Sequence, residues 1–159
     1  MALNDRLKYF LSQQRIAHDV LPHHEVFTAQ EVAAASHVSG QQLAKVVLVR
    51  ENGKGHLMAV LPAACRLDLS ALAAVGKTGK LSLASEEDMA RLFPDCEVGA
   101  MPPFGNLYGL PVYIDACFPK EKELFFQAGN HHEVVRMSYG DYQRVAKPVV
   151  GEFCFHERG

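Results

Sequence analysis

The chain has 159 residues, of which 48% are hydrophobic and 21% charged, and carries a net charge of −2. That length and composition predict one domain, spanning 1–159, with a hydrophobic core. The small net charge excludes a protein that coats DNA or other long nucleic acid through a basic surface, though it leaves room for holding one nucleic-acid end through a few phosphates. The opening Met1-Ala-Leu-Asn-Asp-Arg6 lacks the basic-then-apolar layout of a signal peptide, and no apolar run reaches the length of a membrane span. The expectation is a soluble, cytoplasmic protein with no membrane partner.

In chain order, Asn4 caps a first helix whose Leu3, Leu7, Phe10 and Leu11 share one face. His18 to Leu21 reads as a short strand ended by Pro22. Thr28-Ala-Gln-Glu31 is a capping box that opens a helix through Ala33–Ala35, and Ser39-Gly-Gln-Gln42 is a second one, for a short helix ending near Ala44. Lys45–Arg50 and His56–Leu61 are apolar strands joined by a hairpin turn, Glu51-Asn-Gly-Lys-Gly55. Asp68 caps a helix over Leu69–Val75, and Ser85 caps another over Glu86–Phe93 that Pro94 closes. Pro111–Asp115, Leu124–Gln127 and Glu133–Met137 are strands, and Ser138 caps a last helix through Val145. Helices and strands alternate irregularly and at least one hairpin is present, which predicts an α+β fold, a mixed sheet with helices packed around it.

The most informative stretch is Gly99-Ala-Met-Pro-Pro-Phe-Gly105. Two prolines fix φ and remove two backbone donors, and the flanking glycines permit close approaches. Such a stiff loop can aim the N–H groups of Ala100 and Met101 at a carbonyl or oxyanion; it also reads as a tight surface turn. Lys45, at the mouth of the apolar strand Val46–Val49, can hold a phosphate or carboxylate at a pocket rim, or simply snorkel to water. Ala128-Gly-Asn-His-His132 is turn chemistry between two strands, where Asn130 and His131 can meet a ribose hydroxyl, an amino group or a water, or form a plain hairpin with solvent-facing histidines.

Other chemistries find little support. Cys65, Cys96, Cys117 and Cys154 include no Cys-x-x-Cys pair, so reduced thiols are the expectation. His23-His24 and His131-His132 point to opposite faces of a strand and chelate poorly, so no metal and no cofactor is predicted. There is no Gly-x-Ser-x-Gly elbow, dinucleotide fingerprint or P-loop, and Gly76-Lys-Thr-Gly79 reads as a turn.

Three features occur together: a lysine opening Lys45-Val-Val-Leu-Val49, the loop Gly99–Gly105 and the turn Ala128-Gly-Asn-His131. In this order the chain resembles the YbaK/prolyl-tRNA synthetase-associated editing domain family over nearly its full length. Val26-Phe-Thr-Ala-Gln-Glu-Val-Ala33 looks like that family's opening helix and Met137-Ser-Tyr-Gly-Asp-Tyr142 like its closing strand-to-helix segment. The resemblance implies a compact unit around a largely antiparallel sheet and a free-standing hydrolase that cleaves the ester of mischarged aminoacyl-tRNA. Lys45 would hold the terminal phosphate of the tRNA acceptor end. Gly99 and Pro103 match the family's Gly-x-x-x-Pro loop, whose N–H groups, here of Ala100 and Met101, would bind the ester carbonyl. Phe104, Gly105, Gly129, Asn130 and His131 would line the substrate pocket.

The implied mechanism needs no metal: a water held by backbone groups, with help from the substrate's ribose hydroxyl, attacks an already reactive ester. Met101 would floor a pocket for small side chains, since one methylene distinguishes ligands by only ~1–3 kcal/mol. Alanine, cysteine, serine and threonine are the acyl groups implied, with alanine first, on proline tRNA by family analogy. Prolyl-tRNA synthetase is a partner on which so small a domain can depend for tRNA identity. Two other readings remain open at this stage: a non-catalytic module of the same fold that binds aminoacyl-tRNA-like ligands or a synthetase, and a hydrolase of another ester or thioester with Cys96 or Cys117 as nucleophile.

Overall fold

The structure, a computed structural model, describes residues 4–23, 32, 34, 40–118 and 122–156. Its elements are α1 (Asp5–Gln13), β1 (His18–Pro22), β2 (Leu43–Glu51), β3 (Gly55–Pro62), β4 (Cys65–Leu67), α2 (Leu69–Gly76), β5 (Leu81–Leu83) and α3 (Glu86–Leu92), then a 3-10 turn over Gly105–Tyr108, β6 (Val112–Asp115), β7 (Glu123–Gln127), β8 (Glu133–Ser138), α4 (Tyr139–Ala146), β9 (Val149–Gly151) and β10 (Cys154–His156). The fold is α+β, as the pattern predicted. Among the described residues no helix is long and apolar enough to cross a membrane.

Helix starts follow local chemistry. The side chains of Asn4, Asp68, Ser85 and Ser138 accept from the N–H groups of Leu7, Ala71, Asp88 and Asp141, so each predicted cap satisfies a donor that the first helical turn leaves without a partner. The predicted box at Ser39–Gln42 does not open a helix. Gly40–Gln42 is a turn, and β2 already begins at Leu43. Pairing on both edges decides this: Ala44 opposes Pro62 on β3 and Phe126 on β7. Lys45 is therefore the third residue of a strand, not a helix-to-strand junction. The box at Thr28–Glu31 and Leu3 lie outside the described residues.

The main sheet runs β1-β8-β7-β2-β3-β6-β9, and β5 also pairs β2. Four of its pairings are antiparallel and three parallel, so the sheet is mixed. β10 and β4 form a separate two-stranded ribbon. One face of the sheet carries Ala44, Leu48, Met58, Val60 and Phe126, which pack with Leu7 and Leu11 of α1 and Tyr139 and Tyr142 of α4. The other carries Val49, Ala59 and Leu61, which pack with Leu72 of α2 and Phe153. Each large side chain buried this way contributes about 1.5–3 kcal/mol.

One detail of the topology creates a site. β3 occupies the whole of one edge of β2, from Ala44 to Glu51. The opposite edge is shared: β7 pairs with Leu43 and Ala44, while β5 pairs with Val49 to Glu51. The stretch from Lys45 to Val47 lies between these partners, where the sheet splits. β7 leaves the split into the Ala128–His132 turn, and β5 leaves it into α3.

Candidate active site

The loop that follows α3 is hydrogen-bonded to the Ala128–His132 turn that leaves the split. Its base is fixed first. The Asn4 amide donates to Asp95 C=O (2.7 Å), and the Asn4 N–H donates to Ala128 C=O (3.2 Å), so the cap of α1 joins both loops. Tyr108 Oη donates to Asp95 Oδ1 (3.0 Å), and Arg6 pairs with Asp95 Oδ2 at 3.2 Å. Burial alone would raise the Asp95 carboxyl; the hydrogen bonds from Asn4 and Tyr108 outweigh it and hold the group below its ordinary value.

Beyond this base, Glu97 to Ala100 form a turn closed by the Ala100 N–H on Glu97 C=O (3.0 Å). Gly99 occupies its third position at φ +86°, while Val98 has no positive φ, which is the type II pattern that calls for glycine there. The turn is laced to the neighbouring one. The Glu97 N–H donates to Gly129 C=O (2.8 Å) and the Gly129 N–H to Ala100 C=O (2.9 Å). The His131 N–H donates to Glu97 Oε2 (3.1 Å), and its ring Nε2 lies 2.8 Å from Val98 C=O. A carbonyl only accepts, so Nε2 carries the proton and Nδ1 faces the Gln127 amide at 3.4 Å. His131 is thus a brace between β7 and the Val98–Gly99 peptide.

A cleft of about 520 Å³ opens here, lined by Glu86 and Met89 of α3, Glu97, Val98, Gly99 and His131. Lys45 stands on the far side of Gln127. Register places it one step beyond the Ala44–Phe126 pair, and strand alternation puts it on the same face as Gln127, opposite Ala44. It is half-buried, and it opposes Leu61 on its other edge.

The expected site residues divide accordingly. Gly99 and His131 line the cleft, whereas Lys45 lies on β2 one register step beyond the Ala44–Phe126 pair and is not among the lining residues. The Ala100 N–H, read from the sequence as an oxyanion donor, instead closes the turn, because a glycine one residue earlier folds the chain back. Ala100, Met101, Pro103, Phe104 and Gly105 are all buried. Met101 therefore packs into the core and does not floor the cleft. Phe104 meets Phe10, Phe126 and Tyr142 edge-on, and Tyr142 Oη donates to Pro103 C=O at 2.6 Å. A Cβ on Gly105 would lie 2.7 Å from Val112 and 2.9 Å from Leu110 C=O, so that glycine is there for packing. Asn130 is also turned inward: its Oδ1 accepts from His132 N–H and its amide donates to Glu133 Oε1, both at 3.0 Å. The exposed part of the loop is Glu97-Val98-Gly99, and the N–H groups of Val98 and Gly99 have no partner among the described residues.

Glu86, Met89, Glu97, Val98 and Gln127 were not anticipated as site residues. Glu97 and Val98 were legible in principle as the first half of a turn whose third position is glycine. Gln127, a polar residue closing the apolar run Leu124–Phe126, was the signal for the brace. The alternative thiol nucleophiles are poorly suited. Burial pushes the Cys96 thiol up to about 11, and burial with the Asp115 carboxylate pushes Cys117 up to about 12, so neither is a thiolate at neutral pH.

Comparison with known proteins bears on what this split does. Residues 23–145 match the aminoacyl-tRNA editing domain. The multifunctional Ser/Thr-tRNA deacylase ProXp-y of Escherichia coli K12 is 31% identical over 154 residues, covering 94% of this chain and 92% of the relative. Two solved structures share the fold. One, described as a candidate trans-editing enzyme for prolyl-tRNA synthetase, has a TM-score of 0.80 at 22% identity, with 98% and 97% of the two chains covered. The other, hypothetical protein APE2540, has a TM-score of 0.83 at 18% identity, with 94% and 99% covered. The matched span runs from His23 through the split, the Glu97–Ala100 turn and most of α4, so the elements that build the cleft are those of the aminoacyl-tRNA editing domain family, to which this chain belongs.

Proposed function

We propose that this member of the editing family is an aminoacyl-tRNA deacylase that cleaves small acyl groups, seryl and threonyl ahead of alanyl and cysteinyl, at the split beside Lys45. The observation that carries the reading is the braced Glu97–Ala100 turn, which leaves two adjacent N–H groups exposed in a cleft. Lys45 holds the terminal phosphate of the acceptor end. The ester carbonyl sits against the N–H groups of Val98 and Gly99. Water attacks the carbonyl carbon, the developing oxyanion is held by those donors, and the bond to the ribose oxygen breaks as that oxygen takes a proton. The products are a free amino acid and uncharged tRNA. Each fixed donor of this kind contributes a factor of ~10²–10³. The α-ammonium of the aminoacyl group suits Glu86 and Glu97, which give the cleft its negative character.

The preference for hydroxyl-bearing acyl groups is supported by the relative's name, and it displaces alanine from first place. Prolyl-tRNA synthetase and proline tRNA stay in the proposal as partner and carrier. The test is deacylation of tRNAs charged with serine, threonine, alanine, cysteine and proline, with and without the synthetase. Release of serine or threonine with proline spared supports the reading. Hydrolysis of alanyl-tRNA alone restores alanine. No hydrolysis of any species points instead to a binding module that keeps the fold.

A further inference from the structure

Away from the split, the fold brings together three thiols that the sequence holds far apart. Cys65 opens β4, Cys117 lies in the turn after β6, and Cys154 opens β10; none of the three is in a disulfide. Their sulfur atoms lie within 4.8 Å of one another, and Cys117 Sγ is 3.5 Å from Cys154 Sγ.

Two devices hold them there. In the β4–β10 ribbon Cys154 opposes Leu67 and His156 opposes Cys65, so Cys65 and Cys154 are diagonal neighbours on one face. The Asp115 carboxylate clamps the other two loops. Its Oδ1 accepts from the N–H groups of Phe153 (2.8 Å) and Cys154 (3.1 Å), and its Oδ2 from that of Cys117 (3.0 Å). Asp115, Cys117 and Cys154 line a second cleft, of about 260 Å³, with Ala116 and Glu152. Cys65 is buried and Cys117 exposed, so the cluster is closed on one side and reachable from the other. The buried Tyr139 hydroxyl, within range of the Asp115 carboxylate, has no hydrogen-bond partner among the described residues.

The spacing discriminates between uses. A disulfide needs two sulfurs about 2.05 Å apart and leaves the third without a role. Tetrahedral zinc at about 2.3 Å from each sulfur needs them about 3.8 Å apart, a value between the 3.5 Å of Cys117–Cys154 and the 4.8 Å within which all three lie. Carboxylates that hydrogen-bond the loops carrying the ligands are the usual outer support of such a site.

We propose that Cys65, Cys117 and Cys154 bind one zinc ion through three thiolates, with a fourth position open to the Asp115–Glu152 cleft and Asp115 positioning two of the three ligand loops. On binding, three S–H bonds release their protons to solvent and three S–Zn bonds form, with no change of oxidation state. The ion then ties β4 and β10 to the end of β6.

The test uses the full chain, reduced and stripped with a chelator, titrated with zinc against a chromophoric competitor and, separately, with cobalt(II) as a spectroscopic substitute. Binding of one equivalent, thiolate-to-cobalt charge-transfer bands and zinc protection of Cys117 from alkylation are expected. Asp115→Asn should weaken zinc about 10–100-fold, Cys117→Ser should abolish the charge-transfer bands' full intensity, and Cys96→Ser, outside the cluster, should leave affinity unchanged. The alkylation readout needs no variant, so it stands even where a substitution unfolds the chain. Absence of stoichiometric binding, equal binding by a Cys117→Ser/Cys154→Ser double variant, or a cobalt complex without thiolate bands overturns the proposal. A reduced chain that ignores zinc but forms a Cys117–Cys154 disulfide under mild oxidant overturns it in favour of a redox pair.

Discussion

Gly99 and Gly129 carry the geometry of the cleft for different reasons. Gly99 has room for a Cβ, whose nearest neighbour would be His131 Cε1 at 3.6 Å, but its φ of +86° disfavours any other residue. Gly129 combines a φ of +97° with a close approach, since a Cβ would lie 3.0 Å from that of Asn4. Gly99→Ala should therefore cost about 1–2 kcal/mol of stability, and because it tilts the Val98–Gly99 peptide it should lower kcat more than it raises KM. Gly129→Ala should cost more stability, read as a larger drop in the urea midpoint, because strain and a backbone-anchored neighbour add. Tyr142→Phe tests the other end of the loop. It removes the bond to Pro103 C=O and leaves a buried acceptor without a partner, a loss of about 1–3 kcal/mol by chemical denaturation.

At the level of elements, the helix caps separate stability from function. Asp68→Ala and Ser85→Ala each remove one cap bond and should each cost about 1 kcal/mol. Only the second should also reduce kcat/KM, because α3 carries Glu86 and Met89 into the cleft whereas α2 contributes no residue to its lining. These caps were legible because a cap is a local bargain between a side chain and an N–H three residues on. The long apolar strands and the β2–β3 hairpin were legible for the same reason, as period and turn chemistry. What escaped was decided across the chain. β4, β5, β9 and β10 are three residues each and exist through their partners. The box at Ser39–Gln42 lost to pairing of Leu43 and Ala44 on both edges. In the Gly99–Gly105 loop the prolines and Phe104 are buried, and only Gly99 and the turn it belongs to line the cleft. The three thiols converge through a carboxylate, Asp115, that no spacing in the sequence connects to them.

For the whole molecule, acid should act through two clamps. Asp95 joins the candidate loop to α1, and Asp115 joins β6 to the segment before β10. Burial alone would raise both carboxyls. In Asp115 the hydrogen bonds from the Cys117 thiol and the N–H groups of Phe153 and Cys117 outweigh burial, and both groups are held below the ordinary value of 3.8. A carboxyl with a depressed folded-state pKa contributes fully above its unfolded value and loses that contribution as the pH falls through the folded one. Stability should therefore hold down to about pH 4 and fall below it, and Asp95→Asn or Asp115→Asn should flatten that fall in urea midpoints measured against pH. In the proposed function the ester is held and cleaved at the split in the sheet, between Lys45 and the Val98–Gly99 peptide. Its most direct test is steady-state hydrolysis of seryl-tRNA by wild type, Lys45→Ala and Gly99→Ala, each checked for folding by circular dichroism. A raised KM is expected for Lys45→Ala and a kcat lower by about 10² for Gly99→Ala. Folded variants that both turn over seryl-tRNA like wild type would contradict it.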